Sequence, residues 1–504
     1  MSNHLFDNLL ANRINDDRVF LYLTNGTHWT YSEIISLSGQ IAKVLVDHGA
    51  NPGDRIVIQV QKSPEAIALY LATLRAGLIL VPLNISYTSD ELDYFIEDAE
   101  PVIFICDTSQ SDVIASITEH RGIRILTLDT KGGGSLIDKA HLSSELDPVS
   151  RSPNDLAAIL YTSGTTGRSK GAMLSHENLL SNALSLADTW RFTDKDVLLH
   201  ALPIFHTHGL FVAVNVIIAA AGSIIFIPNF DLDDIVSFLP KATAFMGIPT
   251  FYNRLMNHPG FTAALVGHMR LFISGSAPLL VQTNNDFASR NGMQILERYG
   301  MTEANIITSN PYEGERRAGT VGFSLPSIEI RVCDPETAIE VKPGDIGVIE
   351  VKGPNVFLGY WNMPKKTEEE FRPDGFFITG DLGQIDSDGY LKIVGRSKDL
   401  IISGGLNVYP KEIETKINEI TGVEESAVIG VPHSDLGEGV IALVVTKSDA
   451  DISETQILDA ISDRLARFKQ PKKIIFTDEL PRNAMGKVQK NMLSDSYFDF
   501  FDGT

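Results

Sequence analysis

From residue 29 to residue 84 the chain alternates helical and extended patterns, and this alternation restricts the fold more than any other feature. YSEIISLSGQIAKVLVDHG carries apolar residues at helical spacing and is closed by Gly49; DRIVIQV follows as a strand, SPEAIALYLATLRAG as a second helix and LILVPLN as a second strand. Strands separated by helices pair in parallel, with the crossover helices covering the sheet. At 504 residues the chain exceeds a single core, so several such units are expected.

The pattern changes twice. After Asp345 short strands (GVIEVKG, FFITGDLGQI, GYLKIVG) alternate with Gly-Asp turns, which predicts a small β subdomain at about 325–395. Beyond Arg396 a further α/β unit of about 100 residues begins. The expected class is therefore α/β, α+β in part, with a large domain at 1–395, a junction at 396–399 and a small C-terminal domain at 400–504. The Gly-, Ser- and Pro-rich stretch 129–155 reads as a surface connection. Residues 209–227 form an uncharged run nearly long enough to span a bilayer, but Asn215 and the Gly222-Ser223 break divide it into a buried helix and a short strand.

Charge narrows the function. A formal net charge of −22 repels nucleic acid and anionic membranes, so an anionic small substrate would need a few placed Lys, Arg, backbone N–H groups or a metal. Cys106 and Cys333 are the only cysteines, which excludes a disulfide framework and fits a reducing compartment. The N-terminus lacks the basic start and apolar core of a secretory signal, so the cytoplasm is expected.

YTSGTTGRSKGAMLSH, residues 161–176, packs hydroxyls and glycines between two strand patterns. Thr162, Ser163, Thr165 and Thr166 with Gly164 and Gly167 offer donors and flexible backbone to a polyphosphate, and Lys170 adds a point charge. It is not a Walker A loop, because Lys170 stands three residues after Gly167 instead of next to it.

This run resembles the signature of the adenylate-forming superfamily of acyl-CoA synthetases, peptide-synthetase adenylation domains and luciferases. HALPIFHTHG (200–209), SGSAPL (274–279), ERYGMTE (297–303), FFITGDLG (376–383), GRSKDLIISGGLNVYPKEIE (395–414) and LPRNAMGKVQKN (480–491) follow in the family's order, so the resemblance covers nearly the whole chain. It implies activation of a carboxylate by ATP and transfer of the acyl group to a thiol, with no covalent cofactor. By position, Thr302 would contact the α-phosphate and Glu303 would hold Mg²⁺, with Thr166 as a further metal contact. Asp381 and Arg396 would grip the ribose, Tyr299 would stack on adenine, and Gly275, Ser276, Ala277 and Pro278 would line its edge. Glu297 and Arg298 belong to the same nucleotide set. His206 and Thr207 would lie where the carboxylate meets the thiol channel; a metal role for His206 and His208 lacks a third nearby ligand.

Within the superfamily the motifs are closest to those of malonyl-CoA synthetases. This implies malonate, ATP and CoA as partners, with Arg254, buried in a helix over IPTFYNRLMN, and Ser276 reading the distal carboxylate. Where Thr-Asn-Met-Asn is expected after Glu303, the chain has Ala304-Asn305-Ile306-Ile307, leaving open whether methylmalonate or larger 2-substituted acids are accepted. The small domain would swing between two half-reactions about Lys398, bringing Ser403, Gly404 and Gly405 to the CoA channel. Transfer to a carrier-protein phosphopantetheine, and a nucleotide-binding regulator without catalysis, are the competing readings.

The C-terminal motif holds two candidate lysines. Pro481 and Gly486 bracket a turn able to project Lys487 into the large domain's site, so Lys487 rather than Lys490 is expected to be catalytic.

Overall fold

The computed structural model describes residues 2–162, 169–404, 406–433, 435–448, 450–483 and 486–501. Two sheets dominate the large domain. One has six strands in the order Arg124–Thr127, Ile103–Cys106, Arg55–Gln59, Ile79–Pro82, Leu156–Thr162 and Lys170–Ser175, parallel except for the last pair, an antiparallel hairpin. Its inner strands are buried at nearly every position, so they read as unbroken β-branched runs rather than as alternation.

The second sheet has nine strands, with Leu271–Ser274, Ala244–Gly247, Val197–His200, Ser223–Phe226 and Val19–Leu23 running parallel at its centre. Helix Pro64–Arg75 lies in the core. Ser63 caps its N-terminus and Pro64 occupies the first turn, where the missing N–H costs nothing. Because this helix is apolar on all sides, Tyr70 must satisfy its hydroxyl internally, and it bonds the Asn215 side chain at 3.1 Å. Asn215 belongs to Ala213–Ala220, the helix read from the apolar run; Ala221 turns into the left-handed region and Ser223–Phe226 follows as a strand. Among the described residues no helix is long and apolar enough to cross a membrane.

The β subdomain is a four-stranded antiparallel sheet of Glu329–Cys333, Gly347–Lys352, Phe377–Ile385 and Leu391–Arg396. The smaller C-terminal domain builds separate cores on both sides of a five-stranded sheet. The stretch 129–155 is more ordered than a surface connection: helix Ser135–Ala140 buries Leu136, Ile137 and Ala140. Six residues are too short a window for helical periodicity to register in sequence.

Candidate active site

The antiparallel pair Leu156–Thr162 and Lys170–Ser175 brings Thr162 opposite Lys170 at one edge of the six-stranded sheet. Ser163, Gly164, Thr165, Thr166 and Gly167 lie outside the described residues. Lys170 is half-buried, 3.1 Å from Glu370 Oε1 and 4.1 Å above the ring of Tyr360. The Tyr360 hydroxyl lies 2.7 Å from Glu370 Oε2 and 3.0 Å from Glu303 Oε1. Thr302 and Glu303 follow the strand Leu296–Met301, and burial pushes the Glu303 carboxyl above its ordinary range.

Asp381 and Arg396 face each other across neighbouring strands of the β subdomain. Arg396 Nε pairs with Asp381 Oδ1 at 3.0 Å, and the Tyr299 hydroxyl donates to Asp381 Oδ2 at 2.6 Å. These three expected nucleotide contacts are thus one hydrogen-bonded group. Ser274, Gly275 and Ser276 leave the end of the central strand Leu271–Ser274, and Ser276 adopts φ +70°, which turns the chain sharply there. Ala277 and Pro278 continue this turn.

Arg298 was expected on the nucleotide with Glu297 and Tyr299, but successive strand residues point to opposite faces. It packs beneath Gly275, where a Cβ would come within 2.3 Å of the guanidinium carbon. Only 5% exposed, Arg298 has no acidic partner among the described residues, and its Nε and Nη2 have none either. Burial pulls its pKa down to about 9. Glu297 is buried too, pushed up to about 7 by that burial, and accepts from the Gly319 backbone N–H at 3.0 Å.

His206 Nδ1 accepts from the His208 backbone N–H at 3.3 Å, so the proton of the neutral ring sits on Nε2. Burial, reinforced by the charges of Lys487 and Arg298, lowers its pKa to about 3, so the ring is an uncharged donor at neutral pH. His208 Nδ1 is 3.2 Å from the Ser276 hydroxyl, while His208 Nε2 and the buried Thr207 hydroxyl are unpaired. A polar cluster with unmet hydrogen-bonding capacity therefore gathers around Arg298.

The small domain supplies Lys487. Gly486, at φ +72°, passes so close to the large domain that a Cβ would touch Ile248 at 3.3 Å. Water still reaches the Lys487 side chain in the cleft, but the surrounding protein lowers its pKa to about 8; the Arg396 charge adds to this, and Asp381 and Glu303 oppose it. Lys490 instead pairs with Glu414 of its own domain at 2.5 Å.

Arg254 is exposed in the last turn of helix Pro249–Asn257, its guanidinium 5.4 Å from the Phe230 ring centre, so it is not the buried cation anticipated. The amphipathic pattern placed the helix correctly, but Arg254 falls on its outer face. Ser403 pairs with Gly437, and Gly404 donates its N–H to Leu436 O at 2.9 Å; both contacts stay within the small domain. Gly405 lies outside the described residues, and Lys398 is exposed in the turn Ser397–Asp399. Tyr360 and Glu370 carry no short-range motif; the pairing of Ala172 with Tyr360 across the hairpin is what brings them in.

A hydroxyl-rich sequence between two paired strands, a paired Asp381 and Arg396 and a lysine entering from a second domain match the chemistry of nucleotide-dependent acid activation. The AMP-binding enzyme family model matches residues 10–361, and the AMP-binding enzyme C-terminal domain matches residues 412–487. The chain belongs to this family, the adenylate-forming superfamily, and is an AMP-forming acid–CoA ligase using ATP and CoA.

Within the superfamily it stands close to malonyl-CoA synthetase. It is 56% identical to MatB from Rhodopseudomonas palustris over the full length of both chains, with a TM-score of 0.98 to the ATP-bound structure and 0.86 to the apo structure. Malonate–CoA ligase of Arabidopsis thaliana is 33% identical over 91% of this chain and 80% of its own. A long-chain-fatty-acid–CoA ligase of Bacillus subtilis is also 33% identical, over 93% of this chain and 90% of its own.

Proposed function

We propose that the protein is an ATP-dependent malonate–CoA ligase: malonate and ATP give malonyl-AMP and diphosphate, and malonyl-AMP and CoA give malonyl-CoA and AMP. The observation that carries this reading is Arg298, a buried guanidinium without an acidic partner among the described residues. Lys487 is a second cation without one, and its charge acts on the same His206 ring. Two cations around one pocket suit an acid with two carboxylates, one to react and one to be held. A monocarboxylate would leave Arg298 buried and uncompensated, which costs about 3–5 kcal/mol. This moves the distal-carboxylate role from Arg254 to Arg298, with Ser276 and Thr207 as neighbouring donors.

In the first half-reaction Lys487 lies against the reacting carboxylate and the α-phosphate, offsetting charge that develops as phosphorus becomes pentavalent. His206, neutral with its proton on Nε2, donates to the carboxylate and orients it; its low pKa disqualifies it as a cation or as a strong general base. Asp381 and Arg396 hold the ribose, and Tyr299, fixed by Asp381, offers its ring to adenine. Glu303 fits Mg²⁺, because it is a buried carboxylate whose charge burial disfavours and Tyr360 only partly satisfies, and oxygen ligands suit a hard cation. Magnesium held there would neutralise phosphate oxygens; Thr166 would add a hydroxyl.

In the second half-reaction the small domain turns about Lys398 at 396–399 and exchanges Lys487 for Ser403, Gly404 and Gly405 beside the thiol channel. The higher likeness to the ATP-bound than to the apo form of MatB supports reading the present arrangement as the adenylate-forming one. The resident compartment proposed is the cytoplasm.

Thioester formation from CoA, measured with acetate, malonate, methylmalonate and succinate, tests this reading. Malonate should have the highest kcat/KM among acetate, malonate and succinate; acetate or succinate exceeding it would overturn the assignment. Methylmalonate reports on the Ala304–Ile307 departure.

A further inference from the structure

Glu370 lies outside every motif named above, just after the short helix Pro364–Glu369. Both of its oxygens are engaged. Oε1 lies 3.1 Å from the ammonium of Lys170 and 3.1 Å from that of Lys366, and Oε2 accepts from the Tyr360 hydroxyl at 2.7 Å. Burial alone would raise this carboxyl, but the Tyr360 hydroxyl and the Lys170 charge outweigh it and hold it below its ordinary range. Glu370 is therefore a fixed anion 200 residues away in sequence from the lysine it holds.

The partners of Glu370 are themselves anchored. Tyr360 is 2% exposed, its backbone N–H donates to Thr367 Oγ1 at 2.8 Å, and its segment pairs with Ala172 on the phosphate-loop hairpin. Lys170 thus has a carboxylate on one side and an aromatic face on another, which together define one position for a long side chain. An ammonium has three N–H donors, so donors remain for a ligand in the loop. A free lysine would lose up to ~2 kcal/mol of rotamer entropy on meeting a phosphate, and much of that loss has already been taken here.

We infer that Glu370 is a positioning residue for nucleotide binding: it holds Lys170 against Tyr360 in the orientation from which the ammonium meets the triphosphate. This rests on the reading of Lys170 as a phosphate contact. Lys366 and Tyr360 keep Glu370 satisfied when Lys170 turns part of its donor set toward ATP, so the carboxylate need not be stripped bare for the lysine to engage.

A double-mutant cycle on the full-length protein tests it, with ATP affinity read by calorimetry without acid or CoA. Glu370→Gln should weaken ATP binding roughly five- to tenfold, and Lys170→Ala at least as much; the double variant should be no weaker than Lys170→Ala alone. KM for the acid and for CoA should be unchanged in Glu370→Gln, Glu370→Asp should recover part of the affinity, and the thermal midpoint should stay within about 2 °C. Additive losses in the double variant, or wild-type affinity in Glu370→Gln while Lys170→Ala weakens binding, would overturn the inference and leave the loop reading intact. An unchanged Lys170→Ala would overturn the loop reading itself. A lowered midpoint with equal losses for all three substrates would show a merely structural role and overturn the inference too.

Discussion

Replacing Arg298 with methionine removes the guanidinium while keeping an unbranched chain beneath Gly275, whose missing Cβ makes room for it. The magnitude follows from burial. Arg298 is pulled from the ordinary guanidinium range down to about 9, and a shift of that size reflects roughly 4–5 kcal/mol of disfavoured charge in the free enzyme. A bound carboxylate recovers much of it. Arg298→Met should therefore lower kcat/KM for malonate by about 10²–10³-fold, corresponding to roughly 3–4 kcal/mol. Acetate should fall little or gain, since no charge is then left uncompensated, and ATP affinity should change less than about twofold because Arg298 faces away from Tyr299. The free protein should become more stable, as the variant no longer buries a lone cation. Steady-state thioester assays with both acids, ATP calorimetry and a melting curve measure all four. Equal losses for malonate and acetate would refute the reasoning; a comparable malonate-specific loss in Arg254→Ala, with Arg298→Met near wild type, would return the role to the exposed Arg254.

Other outcomes follow from the same geometry. Lys487→Ala should abolish malonate-dependent pyrophosphate exchange and spare thioester formation from preformed malonyl-AMP; equal loss in both would indicate unfolding instead. Since Lys487 is charged below about 8 and neutral above it, kcat/KM for adenylation should fall as pH rises through that value, and the thioester step from malonyl-AMP should lack this limb. Lys398→Pro should slow the complete reaction more than adenylation, because it stiffens the turn Ser397–Asp399 between the half-reactions; sparing both steps would make that turn a plain linker.

How far the chain could be read without its structure depended on distance along it. Strand–helix alternation, the two strand patterns on either side of the hydroxyl-rich run and the division of the apolar run at Asn215 were all legible, because each is written in consecutive residues whose spacing mirrors the backbone period. Helix Ser135–Ala140 was not, being shorter than two turns. Motif order likewise singled out Lys487, Asp381 and Arg396 as candidates, while the pairing of Asp381 with Arg396 came from the structure.

Local pattern also identifies residue types without saying which face they meet. Arg254 and Arg298 are both arginines in apolar surroundings, yet one lies on the outer face of its helix and the other under Gly275, and strand alternation alone could have separated Arg298 from Tyr299. Lys487 and Lys490 are three positions apart, but the fold turns one into the cleft and pairs the other with Glu414. Tyr360 and Glu370 entered the site only through tertiary contact with Lys170. The neighbours of a side chain, and whether water reaches it, come from segments hundreds of residues away, and those two quantities set charge, tautomer and pKa. The period and order of the residues therefore specified the elements and the family, while the packing of distant segments decided which cations are buried, which are paired and which remain open to water.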